Sequence, residues 1–259
     1  MKQVSDQTGE YLHNLHKHQP DKDTLQKMID NVPSSLSYLG EYRSFPIFNA
    51  VMSKDSVGYV PLLAKEGVKH KVDRDHCSRG GQRGGLLLEF RNVLYKLVTK
   101  TDGDTSDAVY LNAMKELIES NLLRKKDIKE HDLLCNSTRC PGTSMRFDFL
   151  ADWYPEGLKA ITSFGLPLIH AVVQYSDVRC FPVFLKASLK HYPNELGLLF
   201  QKDTSEGQIA CKRAFNHKLH GKEKTLKAIG KLIPFDDPKL PILHHFAKHA
   251  PQYMEDFAC

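Results

Sequence analysis

The sequence lacks the features that define several large classes of protein. No hydrophobic run approaches the roughly 18 consecutive apolar residues of a membrane-spanning helix, and the N-terminus has no apolar stretch typical of a secretory signal. Cysteine is scarce: the 6 cysteines in 259 residues are mostly far apart, which argues against a disulfide scaffold. The net charge of +5 is small and spread out, unlike that of a dedicated nucleic-acid-binding domain. We therefore expect an intracellular, cytoplasmic protein with reduced thiols and no membrane partner.

Patterns that carry known catalytic chemistry are also missing. The chain has no Gly-x4-Gly-Lys-Ser/Thr loop for nucleotide phosphates, no Gly-x-Ser-x-Gly nucleophile turn and no His-Glu-x-x-His zinc helix. His76 and Cys77 are adjacent, but catalytic partners are usually brought together by the fold rather than by the sequence. We expect a protein that is not an enzyme and needs no cofactor.

What the chain does contain is an ordinary globular share of apolar residues, 41%, and an internal duplication. Residues 45–70, FPIFNAVMSKDSVGYVPLLAKEGVKH, align without a gap with residues 166–191, LPLIHAVVQYSDVRCFPVFLKASLKH, at a constant offset of 121. The identical positions are Pro46/Pro167, Ala50/Ala171, Val51/Val172, Val57/Val178, Pro61/Pro182, Lys65/Lys186, Lys69/Lys190 and His70/His191. A match of this length predicts a repeated structural unit.

The second copy indicates a pair of helices. Pro167 suits the first turn of a helix, and a short apolar helix follows it. The polar break Tyr175-Ser176-Asp177 precedes an amphipathic helix that ends at His191. Because Pro182 would otherwise fall in the second turn, we expect this helix to bend or to start late. Ala171 and Ala50 are predicted to lie where helices pack closely.

Weaker copies accompany these two. Residues 207–233 contain a short helix opening and an amphipathic partner helix, and residues 240–259 begin a further unit shorter than a full helix pair. An x-Pro-polar step recurs where the second helix of a pair ends, as in Val32-Pro33-Ser34, Tyr154-Pro155-Glu156 and Tyr192-Pro193-Asn194. The unit starts at residues 166, 209 and 240 bracket the roughly 33-residue period of an ankyrin repeat.

The segment from Gly165 to Ala171 resembles a degenerate form of the ankyrin signature Gly-x-Thr-Pro-Leu-His-x-Ala. Pro167, Leu168 and Ala171 match, whereas Leu166 and Ile169 replace the threonine and the histidine. Over residues 25–257 the chain resembles a lineage-expanded group of ankyrin-like proteins of diatom-type algae. The resemblance implies an all-α solenoid of degenerate ankyrin-like helix-turn-helix repeats, with irregular hairpin tips because the two signature residues are lost.

The segment between the two clear copies is predicted to continue the helical stack. Residues 72–85 form a glycine-rich loop, and residues 86–100 and 108–124 have the apolar spacing of amphipathic helices. A further pair is predicted at 128–134 and 145–154. We thus expect a polar N-terminal segment, 1–24, followed by one continuous repeat domain, 25–259.

A repeat stack offers an extended surface that usually binds another protein. From the turn positions alone, we expect the contacts with a protein partner to include Lys54, Asp55 and Tyr175. This leading hypothesis is a non-enzymatic protein-interaction module.

The alternative hypothesis is RNA binding. Residues 79–85 contain two Arg-Gly-Gly triplets that begin at Arg79 and Arg83, and residues 217–231 form a basic stretch that includes Lys218, Lys222 and Lys224. A loop that joins two helices and the solvated face of an outer helix are the simpler interpretations of these segments.

One cluster has the residue types of a zinc site. His131, Cys135 and Cys140 follow one another within ten residues, but their spacing fits no common zinc motif and a fourth ligand is missing. We expect buried or solvated thiols here rather than a metal centre.

Overall fold

The computed structural model describes residues 2–40, 44–71, 83–87, 92–103, 106–176, 179–203, 207–216 and 221–233. Within these ranges the regular secondary structure is all helical, and the only extended pairing is two isolated bridges, Ile161 with Pro167 and Lys202 with Ile209. The α-helices are α1 Lys2–His13, α2 Leu15–His18, α3 Lys22–Asn31, α4 Pro46–Ala50, α5 Val60–Lys69, α6 Val93–Thr99, α7 Ser106–Glu119, α8 Lys125–Glu130, α9 Leu133–Ser137, α10 Ser144–Trp153, α11 Leu168–Tyr175, α12 Cys180–His191, α13 Ala210–Asn216 and α14 Gly221–Leu232. Short 3₁₀ helices cover Pro33–Ser37, Val57–Tyr59, Pro141–Thr143, Pro155–Lys159 and Pro193–Leu198. The predicted all-α class is confirmed.

The chain divides into two compact units, residues 1–127 and 128–259. In the first unit α5 contacts both α3 and α7, while α1 packs on α4. In the second unit α12 contacts both α10 and α14, and α11 contacts both α9 and α13. The second unit therefore contains two rows of helices. One row is α9, α11 and α13, the other is α10, α12 and α14, and the chain alternates between them. No helix in the described ranges is long and apolar enough to cross a membrane.

The two aligned segments share many of their buried positions. In the first helix of each copy, Ala50 and Ala171 are at most 1% exposed, which confirms that both alanines are buried. The other matching buried pairs are Ile47/Leu168, Val51/Val172, Val60/Phe181, Leu63/Phe184 and Ala64/Leu185. The second helix starts late, at Cys180, so that Pro182 falls within its first turn, where its missing N–H is not needed.

Three of the longer helices end with the same backbone conformation, followed by a proline. We call this arrangement the proline corner. Val32 follows α3 (φ −137°, ψ 68°), Tyr154 follows α10 (φ −138°, ψ 73°) and Tyr192 follows α12 (φ −132°, ψ 57°). A proline comes next and opens a 3₁₀ helix each time. This geometry follows from the x-Pro step of the sequence, because proline disfavours helical backbone in the residue before it.

The identical lysines Lys69 and Lys190 make equivalent ion pairs. The Lys69 ammonium lies 3.0 Å from Asp30 of α3, and the Lys190 ammonium lies 2.6 Å from Asp152 of α10. Hydrogen bonds from Lys190 and His191 hold the pKa of Asp152 below its usual value. Lys69 thus connects the end of α5 to the end of α3, and Lys190 connects the end of α12 to the end of α10.

Residues 1–24, which the sequence marks only as polar, contain α1, α2 and the start of α3, with Leu12 and Leu15 buried. The buried His13 anchors α1 to the chain around α4. Its Nδ1 lies 2.6 Å from the Asn49 amide nitrogen, and its Nε2 lies 3.2 Å from the Tyr38 carbonyl. Because Ser44 donates to the Asn49 amide oxygen, Asn49 donates to Nδ1, and His13 is neutral with its proton on Nε2.

The segment between the copies differs from the predicted helix 86–100. The α-helix there begins at Val93, because the Asn92 side chain caps it by accepting the Tyr95 N–H. Residues 72–82 of the glycine-rich loop and the predicted unit 240–259 lie outside the described residues.

Candidate interaction surface

A tight chain reversal precedes α11 and forms a projecting tip. The Leu168 N–H donates to the Ala160 carbonyl at its base, and the Gly165 N–H donates to the Thr162 carbonyl at its end. Gly165 has φ +72°, a left-handed conformation that favours glycine. The tip loop is thus closed at both ends, and Phe164 is held on its turn.

Phe164 forms an exposed cluster with two residues from other segments. The ring centroids of Phe164 and Tyr175 are 4.9 Å apart with the planes tilted by 42°, and the Arg139 guanidinium carbon lies 5.6 Å from the Phe164 centroid. Phe164 is 46% exposed and Tyr175 45% exposed. We call these three residues the Phe164 cluster. Its chemistry, two aromatic rings beside an arginine, is that of residues which dominate protein–protein binding energies.

Buried hydrogen bonds fix the segments that carry this cluster. Thr138 donates its hydroxyl to the Cys135 carbonyl, so the Ser176 hydroxyl must donate to Thr138 Oγ1 across 2.7 Å. This bond joins the end of α11 to the turn after α9, and it thereby fixes the two segments that carry Tyr175 and Arg139.

A second anchor holds the tip itself. The Ser163 N–H donates to the Asp132 carboxylate over 2.9 Å. Asp132 directly precedes α9, so the tip is attached to the start of α9, which contacts α11. The tip that carries Phe164 is therefore held by hydrogen bonds at its base, at its end and to the start of α9.

The next tip is tied to α11 and α13. His170 Nε2 lies 2.8 Å from the Gln201 carbonyl, and burial lowers the pKa of His170, which favours the neutral ring as a donor. Arg213 of α13 donates to Gln174 and to Asp203, each over 2.7 Å. A histidine one position later than in the ankyrin signature thus bonds a neighbouring tip. Each tip carries a single bridge between its two sides rather than a strand pair.

The predicted protein-contact residues lie at the surface. Tyr175 is part of the Phe164 cluster. Lys54 and Asp55 are exposed in the turn after α4, where the Lys54 N–H donates to the Asp102 carboxylate over 2.9 Å. Sequence reasoning missed Phe164 and Arg139, because their proximity to Tyr175 arises from tertiary structure. The local signal was the Ser163-Phe164-Gly165 turn, in which an apolar residue is placed on a loop.

The residues of the RNA-binding alternative have different environments. Arg79 and Lys218 lie outside the described residues, Lys222 is in the first turn of α14, and Lys224 of α14 is exposed. The Arg83 guanidinium forms two hydrogen bonds with Asp127, at 2.5 and 2.7 Å.

The Arg83 side chain is only 10% exposed, and that of Asp127 is fully buried. Asp127 also accepts the Arg124 N–H. Arg83 is thus held in a nearly buried ion pair within the first unit.

The zinc candidate is not assembled. Among the residues that the structure describes, the ligand atoms of His131, Cys135 and Cys140 do not gather within 4.8 Å of one another. Burial raises the pKa of the Cys135 thiol to about 11, which disfavours the thiolate that zinc requires. A cluster that the sequence did not indicate, Asp30, Glu66 and His70, surrounds the Lys69 ammonium, which lies 3.0 Å from both carboxylates.

Comparison with known proteins gives no match for this chain among protein-family models, curated proteins or solved structures.

Proposed function

We propose that this protein is a non-enzymatic protein-interaction module built from degenerate ankyrin-like helix pairs. Support for the repeat architecture comes from the matching burial of the two aligned segments, the recurring proline corner and the two rows of alternating helices in the second unit. The tips that follow the 3₁₀ helices Pro155–Lys159 and Pro193–Leu198 correspond to the hairpins of such repeats.

The observation that carries the proposal is the Phe164 cluster. Two large aromatic side chains, each nearly half exposed, lie in contact beside an arginine on a hydrogen-bonded tip. Exposed aromatic pairs retain apolar area that a partner can bury, and their few rotatable bonds limit the entropy lost on binding. The partner would place an apolar group against the rings and a hydrogen-bond acceptor near Arg139.

The RNA-binding alternative has less support. The Arg-Gly-Gly triplet that begins at Arg83 has its guanidinium hydrogen-bonded to Asp127, so this arginine is less available to RNA.

The test is quantitative affinity capture from native extract with the tagged protein and the double variant Phe164→Ala/Tyr175→Ala. Both residues are exposed, so the variant is expected to fold, which circular dichroism verifies. We expect a set of proteins retained by the parent to be reduced at least about tenfold with the variant, the equivalent of 1.4 kcal/mol. The matched control is Met145→Ala, which truncates a side chain that is 49% exposed and lies outside the cluster.

Nuclease treatment and a salt series separate the two hypotheses. Capture that survives nuclease and depends on the two rings supports the proposal. Capture that is abolished by nuclease, or that decreases steeply with salt through counterion release, would replace it with nucleic-acid binding. Retention of the same proteins by the parent and the double variant would remove the Phe164 cluster from the proposal.

A further inference from the structure

A groove of about 360 Å³ lies between the first turn of α12 and one face of α14 in the second unit. The residues of α14 that line it run from Lys224 to Leu232, which corresponds to about 12 Å of helix axis. The groove is separate from the Phe164 cluster, since none of the three cluster residues lines it. It is large enough for side chains of another molecule, because ligand sites start at about 300 Å³.

Among the residues that the structure describes, the charged ones that line the groove are all basic. They are Arg179, Lys224, Lys227 and Lys231, and each is exposed. The three lysines project from α14 at spacings of three and four residues, so they form one row about 10 Å long. Within the described part of the chain, Lys227 and Lys231 make no ion pair, and Glu223 of the same helix does not line the groove. Like charges at this spacing destabilise an isolated helix, which a bound anion would relieve.

The remaining lining is mostly apolar. Pro182, Ala228 and Leu232 are each partly exposed there, so carbon surface lies between the lysines. The aromatic ring in the lining, Phe181, is 1% exposed and has no free face on which a nucleic-acid base could stack. The combination of a cationic row and an apolar floor matches a ligand that carries both carboxylates and apolar side chains.

We propose that this groove binds an acidic amphipathic helical segment of a partner protein. Such a helix places apolar residues at i, i+3, i+4 and i+7 on the floor, as in other helix-in-groove complexes. Glutamates or aspartates at the edge of that face recur with the same helical spacing as the lysine row. The basic lining requires a ligand of negative charge, and the apolar floor favours a peptide over a nucleic acid. The inference goes beyond the proposed function, because it assigns a second surface and the chemistry of its ligand.

The test uses the full chain and a labelled synthetic peptide in which leucines form one helical face and glutamates the other. Fluorescence anisotropy gives the dissociation constant. A scrambled peptide of the same composition and an oligouridylate of similar length are the comparison ligands. We expect the ordered peptide to bind at least about tenfold more tightly than the scrambled one, because only the ordered peptide presents both faces at once.

Two variants and one matched control locate the binding. Lys227→Glu/Lys231→Glu should weaken peptide binding at least about tenfold, and Leu232→Ser should weaken it without changing the charge. Lys186→Glu is the control, since Lys186 is an exposed residue of α12 that does not line the groove. The thermal melting temperatures of all variants are compared with that of the parent to verify folding.

The results separate this inference from the proposal for the Phe164 cluster. Binding that is lost with the lysine variant but is unchanged in Phe164→Ala/Tyr175→Ala supports a second surface. Equal loss with Lys186→Glu, or equal affinity for the ordered and scrambled peptides, would overturn the inference. Tighter binding of the oligouridylate with the same dependence on Lys227 and Lys231 would also overturn it and assign the groove to nucleic acid.

Discussion

Single buried residues determine whether the helices of this chain can approach one another. Ala171 is fully buried in α11, which packs against three other helices, α9, α12 and α13. Its small side chain was identified from the sequence because it recurs as Ala50 at the same place in the duplication.

We predict that Ala171→Asp strongly destabilises the protein. The substitution places a carboxylate without a partner in the core, and we expect the free energy of unfolding to decrease by about 3 kcal/mol or more. Urea unfolding measures this change, and Lys186→Asp, at an exposed position of α12, is the control. An Ala171→Asp protein as stable as its parent would contradict the packing assigned to α11.

Buried histidines give the stability a defined dependence on pH. Burial lowers the pKa of His13 below its ordinary value of 6.5, and the pKa of His170 is lowered for the same reason. At pH values between 6.5 and the lower pKa that each histidine has in the folded state, the histidine binds a proton in the unfolded chain but not in the folded chain. The free energy of unfolding therefore decreases as the pH falls through this range, and the stabilisation is fully present above it.

We predict that His13→Gln reduces this pH dependence. The free energy of unfolding, measured by urea titration at a series of pH values from neutral to mildly acidic, should decrease less steeply for the variant than for the parent. The slope is the diagnostic quantity, because the substitution can also change stability at every pH. His16→Gln, at an exposed position of α2, controls for the loss of one histidine. Identical slopes for the His13 variant and the parent would refute the assignment.

At the scale of secondary-structure elements, the sequence predicts helices best where apolar spacing and proline agree. The helices of the second copy, α11 and α12, follow from the apolar stripes and from Pro167 and Pro182. The start of α6 could not be predicted in this way. The apolar spacing continues upstream through Leu87, whereas the helix begins at Val93, after the cap that the Asn92 side chain provides. The exposure of Tyr175 was inferable from its polar surroundings. Its contact with Phe164 was not, since nothing local links residues eleven positions apart across a tip.

The proline corners are predicted to stabilise the helix ends. In Pro155→Ala the backbone of the unfolded chain gains freedom, and we expect a loss of about 0.5–1 kcal/mol. The proline opens a 3₁₀ helix, where its missing N–H removes no bond. Glu156→Ala, at the next and exposed position, is the control. Thermal and urea unfolding of both variants test this, and equal stabilities for the Pro155→Ala protein and its parent would show that the corner does not depend on proline.

At the scale of the whole molecule, the chain has two compact units, each with its own buried core. Leu117 is fully buried in the first unit, and Phe184 is fully buried in the second. The sequence predicted one continuous repeat domain, because no linker composition marks a boundary near residue 127.

We predict that core truncations act mainly within their own unit. Leu117→Ala and Phe184→Ala should each cost about 3 kcal/mol, a typical value for emptying a buried site. Hydrogen exchange monitored by mass spectrometry should show the larger loss of protection in residues 1–127 for the first variant and in residues 128–259 for the second. Equal loss in both units for either variant would indicate one cooperative core.

The shared geometry of Val32, Tyr154 and Tyr192 affects how such a chain can change in length during evolution. A stretch of chain cut after any two of these residues begins and ends with the same backbone direction relative to the helix before it. Recombination between the gene positions for Tyr154 and Tyr192 would add or remove the whole helix pair of α11 and α12 without requiring a new turn. Substitutions can then accumulate on exposed tips, as at Phe164, while the proline corners stay unchanged, so that the exposed surface of a copy changes sooner than its fold.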